Sequence, residues 1–131
     1  MSHNLCQEFA DILGAEIISN QNGVCVVGFN RNLNVTILGR RSRSSLTLGA
    51  LFSFESMDIK GRTLNLGETV ILQSELNEFI DALRSHDIIV TAFHNHWLFE
   101  EPRLMYIHFE SIDKPLAFAR KVADALTVLR S

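Results

Sequence analysis

The sequence predicts an α+β domain with a mostly antiparallel sheet and three helices, in the order α-β-β-β-β-α-β-β-α. Three observations carry that reading. Apolar residues recur at helical spacing in three separate segments, at the start, middle and end of the chain. Between them lie short segments that alternate apolar with polar residues and are bounded by Gly, Asn or Pro. The strands come in consecutive groups and do not alternate regularly with helices, the pattern of an antiparallel sheet with helices packed against it. At 131 residues the chain fits one domain, 1–131, long enough to bury a core without metal or disulfide staples.

Asn4 or Ser2 caps a first helix with Leu5, Phe9, Ile12 and Leu13 on one face, and Gly14 follows as a helix-ending glycine does. Gly23–Phe29 reads as a buried strand. Asn30-Arg31-Asn32 supplies turn chemistry, and Leu33, Val35 and Ile37 alternate along a second strand. Leu46–Phe54 is a third strand, with Gly49 a bulge or close-approach point, and Thr63–Leu72 is a fourth, broken in the middle by Gly67. Ser74 caps a helix whose inner face is Leu76, Phe79, Ile80 and Leu83. His86-Asp87 turns into a strand from Ile88 to His96, Trp97–Pro102 forms a hairpin loop, and the return strand starts at Arg103. Asp113 caps the last helix, with Pro115 in its first turn and a stripe of Leu116, Ala119, Val122, Ala123, Leu126 and Leu129. Phe79, Ile80, Leu83, Leu116, Val122 and Leu126 are the expected core contacts of the two later helices.

Composition narrows the function classes. The chain is 47% apolar and 21% charged, the balance of a soluble globular protein. No apolar run approaches the roughly 18 to 20 residues that a membrane span needs. A net charge of −3 argues against nucleic acid as a partner, which calls for a basic surface. Gly39–Ser45 is a local exception carrying Arg40, Arg41 and Arg43; it reads as a solvated loop, with an anion or phosphate contact as the sharper alternative, and it lacks P-loop glycine spacing. The first eight residues have neither the basic nor the hydrophobic region of a secretory signal. The two cysteines show no CxxC spacing and are too few for a disulfide framework. Cys6 and Cys25 are therefore expected to be reduced, packing thiols, and the protein to be cytoplasmic with no membrane partner.

The richest stretch is Val90–Glu110, VTAFHNHWLFEEPRLMYIHFE. His94 and His96 are two apart, so on a strand they point the same way. On the return segment Met105, Ile107 and Phe109 alternate with Tyr106, His108 and Glu110, so an even-sum pairing puts His94, His96, Tyr106 and His108 on one face. Residues two apart on a strand lie roughly 7 Å apart, and direct cross-strand Cβ atoms about 5 Å. A register with His94 opposite His108, or shifted by two residues, lets the rings meet; a shift of four separates them. Catalytic zinc commonly takes three protein ligands plus water. The sequence thus nominates His94, His96 and His108 as ligands for zinc or another divalent transition metal. Glu101 is the nominated catalytic base, with Glu68, Glu100 and Glu110 as alternatives or a fourth ligand, and Tyr106 the nominated donor to substrate.

A metal-free acid–base or ligand site and plain structural hydrogen bonding are the competing readings of that face. Tyr106 and Trp97 can equally be packing aromatics. Asn95 points away from the histidines and serves the hairpin, Arg103 pairs with Glu100 or Glu101, and His3 and His86 are ordinary solvated histidines.

The motif Val90-Thr-Ala-Phe-His-Asn-His96, followed by Glu101-Pro-Arg103 and Tyr106-Ile-His108, resembles the LppY/LpqO family of mycobacterial-type lipoproteins and their bacterial relatives. The likeness runs from about Gln7 to Leu129. Gly23-Val24 with Val27-Gly-Phe29, Leu48-Gly49 with Phe54, and Leu66-Gly-Glu68 before the Ser74 helix support it. The resemblance implies a shared domain without an assigned reaction and family histidines at His94, His96 and His108. Its relatives include exported lipoproteins, whose signal this chain lacks, and tandem two-domain chains, which makes a homodimer a state to test.

Two function classes stay open from sequence. One is a metal-dependent enzyme acting on an unidentified small molecule; the other is a non-catalytic ligand-binding or sensory module without metal. Neither reaction nor substrate is legible.

Overall fold

The computed structural model describes residues 4–129; Ser2 and His3, a candidate cap and a candidate solvated histidine, lie outside them. Helix α1 (Leu5–Leu13) starts where the Asn4 side chain accepts the Gln7 amide at 3.1 Å and ends where Gly14 turns left-handed at φ 65. Glycine takes that conformation without a Cβ penalty. Strand β1 (Glu16–Gln21) follows. It is absent from the sequence reading because its polar residues bury little on the sheet edge. Asn22 and Gly23, both at positive φ (56 and 76), close a hairpin into β2 (Val24–Asn30), a turn whose twist matches that of paired strands.

The alternation around Leu33 yields only a short strand, β3 (Val35–Ile37), paired with β4 (Arg40–Ser42). The basic stretch is thus partly strand, and Arg40 and Arg41 are exposed on its hairpin. The strand expected from Leu46 begins later. Ser44 caps a single-turn helix, α2 (Ser45–Leu48), before β5 (Gly49–Glu55). The turn buries Thr47 and Leu48 together, which a strand would send to opposite faces.

Strand β6 (Thr63–Leu72) runs unbroken through Gly67. Gly67 lies opposite Phe109, and a Cβ there would collide with the Phe109 ring. The missing side chain houses an aromatic instead of interrupting the strand. A 3-10 turn over Gln73–Glu75 leads into α3 (Leu76–Ser85). Ser74, the expected cap, lies inside that 3-10 turn; Glu75 stands at the N-cap position of α3, and its Oε1 reaches back to accept the Leu72 amide at 2.7 Å. The same buried carboxylate holds Arg31 through two bonds of 2.9 and 3.1 Å, so two buried charges satisfy each other in bidentate geometry.

Strand β7 (Ile89–His94) stops two residues short of the expected end, and the following loop contains β8 (Glu100–Glu101), which pairs with β3. Strand β9 (Leu104–Asp113) leads into α4 (Pro115–Leu126), with Pro115 at its first turn. Lys114 is the N-cap residue; Asp113 instead accepts from the Lys114 amide at 2.8 Å and from Lys121 Nζ at 2.6 Å.

The strands form a six-stranded antiparallel sheet, β1-β2-β5-β6-β9-β7, and a three-stranded one, β4-β3-β8. The fold is α+β with a mostly antiparallel sheet, carrying a fourth, one-turn helix beyond the three expected. Helices α1, α3 and α4 cover one face of the large sheet over a core that includes Phe9, Phe52, Phe79, Phe109 and Phe118. Phe79, Leu83 and Val122 are buried as expected, whereas Ile80, Leu116 and Leu126 pack at its rim. Phe118 and Ala125 take the deep positions because the buried stripe of α4 follows Pro115, Phe118, Val122 and Ala125. A second, smaller core of Leu33, Val35, Leu48, Val70 and Leu104 forms on the other side. There, β3, its partners and α2 cover one end of the sheet and leave the rest of that face open.

Cys6 and Cys25 correct a further expectation. They are joined in a disulfide, with Cα atoms 5.6 Å apart. Packing of α1 over β2 brings the two residues within bridging range, a non-local proximity that their spacing does not encode. Among the described residues, no helix is long and apolar enough to cross a membrane.

Candidate functional site

Cross-strand register decides which side chains meet on the open face. One row across β5, β6, β9 and β7 is Leu51, Glu68, His108 and Ala92. The next row, toward the small sheet, is Val70, Tyr106 and His94. A bulge between Val90 and Ala92 sets this offset, so His94 is opposite Tyr106 and diagonal to His108. Bulges commonly re-aim side chains in this way.

The diagonal is short enough for contact. His94 Nε2 lies 3.0 Å from His108 Nε2, and the rings stack with centroids 5.1 Å apart. The opposite nitrogens are also engaged. His94 Nδ1 is 3.2 Å from the Asn95 carbonyl oxygen, and His108 Nδ1 is 3.4 Å from Glu68 Oε1. His96 lies beyond the strand end, exposed, with its ring 5.3 Å from that of His94 and 5.5 Å from that of Tyr106. The structure therefore gathers all three nominated histidines, with two in nitrogen-to-nitrogen contact. Among the described residues no group of three or more His, Cys, Asp or Glu converges closely enough to hold a metal ion as it stands.

Tyr106 anchors the floor of this cluster. Its hydroxyl donates to the Thr47 carbonyl at 2.9 Å and accepts from Trp97 Nε1 at 3.0 Å. Burial raises its pKa above the ordinary 10.0, the Trp97 hydrogen bond opposes that rise, and the charge of Glu100 adds to it. With its proton given to Thr47, the phenol holds the loop carrying His96 and Trp97 in place.

The carboxylates separate clearly. Glu68 is the one beside the histidines. Glu101 is exposed and sits opposite Thr36 on β3; among the described residues no hydrogen bond or ion pair joins it to a histidine. Glu100 is buried, accepts the Leu104 amide at 3.4 Å and lies 3.7 Å from Arg103. Asn95 donates to the Leu104 carbonyl at 2.9 Å, as expected of a hairpin residue. His86 is more engaged than a solvated histidine, with Nε2 2.8 Å from Asp124. Sequence reasoning had Glu68 among four candidate carboxylates; only the β6–β9 register singles it out. The acceptor on Thr47 is a backbone carbonyl and carries no side-chain signal.

Residues 7–128 match the family described as Domain of Unknown Function (DUF1259), and the chain belongs to that family. No curated protein and no solved structure matches the chain.

Proposed function

We propose that the domain binds a divalent transition metal, zinc or a chemical neighbour, through Nε2 of His94 and Nε2 of His108, and presents it to a small molecule. The observation that carries this reading is the 3.0 Å separation of those two nitrogens. In the neutral tautomers whose Nδ1 protons go to the Asn95 carbonyl and to Glu68, 3.2 and 3.4 Å away, both Nε2 atoms present lone pairs toward each other. Lone pairs at that distance repel unless a cation sits between them. Two imidazoles on a tetrahedral zinc, each about 2.0–2.1 Å from the ion, have nitrogens about 3.3 Å apart, so only a small opening is needed. A carboxylate or carbonyl on the far ring nitrogen is the outer-shell arrangement that orients metal-bound histidines. His96 completes a three-histidine set when its ring turns toward His94, leaving a position for water or ligand.

A second reading has its own support. A shared proton fits the His94–His108 gap as well as an ion does, and three donors do not converge among the described residues. The domain is then a metal-free ligand or sensory module. Metal analysis and zinc, nickel and copper calorimetry on untagged protein separate the two. The metal reading expects about one ion per chain, with binding lost in His108→Ala. Wild-type protein that binds none of the three ions sinks it.

The likeness of the 90–108 motif to LppY/LpqO proteins supports a functional role for the three histidines. The sulfur bridge bears on the setting: disulfides persist in oxidising compartments and are rare in the cytosol. The Cys6–Cys25 bridge thus favours an oxidising location over the cytoplasmic one expected from sequence. Light scattering tests the homodimer that the same likeness suggests.

A further inference from the structure

Beside the histidine pair, the open face of the large sheet forms a cleft of about 320 Å³, within the size range of small-molecule sites. Val26, Leu51 and Leu66 give it an apolar floor, and Leu51 and Leu66 remain 39% and 38% exposed. Its polar rim holds Glu68 and His108 in one row and Glu110 in the next. Glu110 lies directly opposite Leu66 on β6 and Ile89 on β7. Among the described residues it has no ion pair or side-chain hydrogen bond, and no Lys or Arg lines the cleft. Thr91, the bulged residue of β7, also faces in.

We infer that this cleft takes a small amphiphilic organic amine, its ammonium against Glu110 and its hydrocarbon body along Leu66, Leu51 and Val26. The floor supplies hydrophobic burial without direction. Direction comes from the rim, where the carboxylates attract a cation and repel a carboxylate ligand. Residues two apart on β9 place Glu110 roughly 7 Å from His108, so the far part of such a ligand reaches the histidine pair. The inference goes beyond the metal reading and shares only Glu68 and His108 with it.

The test is an NMR titration of metal-free wild-type protein with n-hexylammonium, n-butylammonium and hexanoate. Saturable shifts of cleft residues are expected with hexylammonium, with butylammonium weaker by up to about 15-fold for two fewer buried methylenes, and none with hexanoate. Glu110→Gln should weaken hexylammonium at least fivefold. Leu66→Lys should abolish its binding by placing a tethered ammonium opposite Glu110, which keeps the test informative should Glu110→Gln fold poorly. Hexanoate binding as well as hexylammonium, or hexylammonium leaving the cleft unshifted, overturns the inference. Titration of the same sample with zinc, nickel and copper keeps the two proposals apart. Metal binding without ammonium binding removes the cleft proposal alone, and ammonium binding by protein that takes up none of zinc, nickel and copper removes the metal reading alone.

Discussion

Glu68 and His108 face each other directly across the β6–β9 ladder, with Oε1 3.4 Å from Nδ1. The pair fixes which nitrogen of His108 is turned toward His94. Glu68 is about half exposed, with a side-chain accessibility of 52%, so the contact contributes little to stability. Its consequence lies in the ring orientation of His108, with Nδ1 toward Glu68 and Nε2 toward His94.

Glu68→Gln should therefore weaken metal binding by about 10- to 100-fold, the usual cost of losing an outer-shell partner, while the melting temperature barely moves. Calorimetry and thermal melts on the same preparation check both halves. Unchanged zinc affinity would mean that Glu68 does not orient the ring.

His96→Ala probes the third ligand of the proposed metal site. The side chain is exposed and touches Trp97 and Tyr106 only by ring contact, so apo stability should change by about 1 kcal/mol or less. Zinc binding should fall strongly. An apo protein that unfolds on this substitution, with zinc, nickel and copper all failing to bind wild type, would make the cluster structural.

Legibility followed the reach of each interaction. The alternation from Leu104 to Glu110 and the parity of His94 against His108 are local, so the shared face could be read from sequence, as could the helix bounded by Asn4 and Gly14. The deeper helix positions were harder: Leu116 and Phe118 lie two apart on α4 and so on opposite sides of the helix, and the stripe that turns inward is that of Phe118. Strand β1 and the Arg40–Ser42 strand carry too little hydrophobic alternation to announce themselves, although Asn22-Gly23 is a strong hairpin signal. The Cys6–Cys25 bridge, the Arg31–Glu75 pair and the choice of Glu68 depend on register and packing between distant segments. No spacing rule contains them.

Gly67→Ala should cost about 1–3 kcal/mol, the usual penalty for forcing atoms into a packed core. The new methyl meets the Phe109 ring, which itself contacts Phe52, Phe79 and Phe118, so the ring has nowhere to yield. Urea denaturation measures the loss; a change below about 0.5 kcal/mol, the scale of ordinary surface substitutions, would show that the aromatic cluster can shift.

Reducing the Cys6–Cys25 bridge reopens a loop between residues 19 apart in sequence. Loops of that size restrict the unfolded chain by about 3 kcal/mol, which corresponds to a melting shift of about 10 °C in a domain of this length. Alkylation of denatured, unreduced protein should leave both cysteines unmodified. Two alkylated thiols, or an unchanged melt after reduction, would show that the bridge is not part of the stable fold.

The single tyrosine gives a pH prediction with a clean readout. Burial raises the Tyr106 pKa above 10.0 in the folded protein, so the folded state prefers the neutral phenol more than the unfolded chain does. A raised folded pKa contributes stability that is fully present below the unfolded value and is lost as pH rises through the folded one. Stability should therefore decline in the window that opens near pH 10 and extends upward. Tyrosinate absorbance should titrate above pH 10 in native protein and near 10 in urea. Trp97→Phe removes the hydrogen bond that lowers the pKa, so the native midpoint should rise further. A native midpoint at or below that in urea would mean that the phenol is solvated and does not hold the His96 loop.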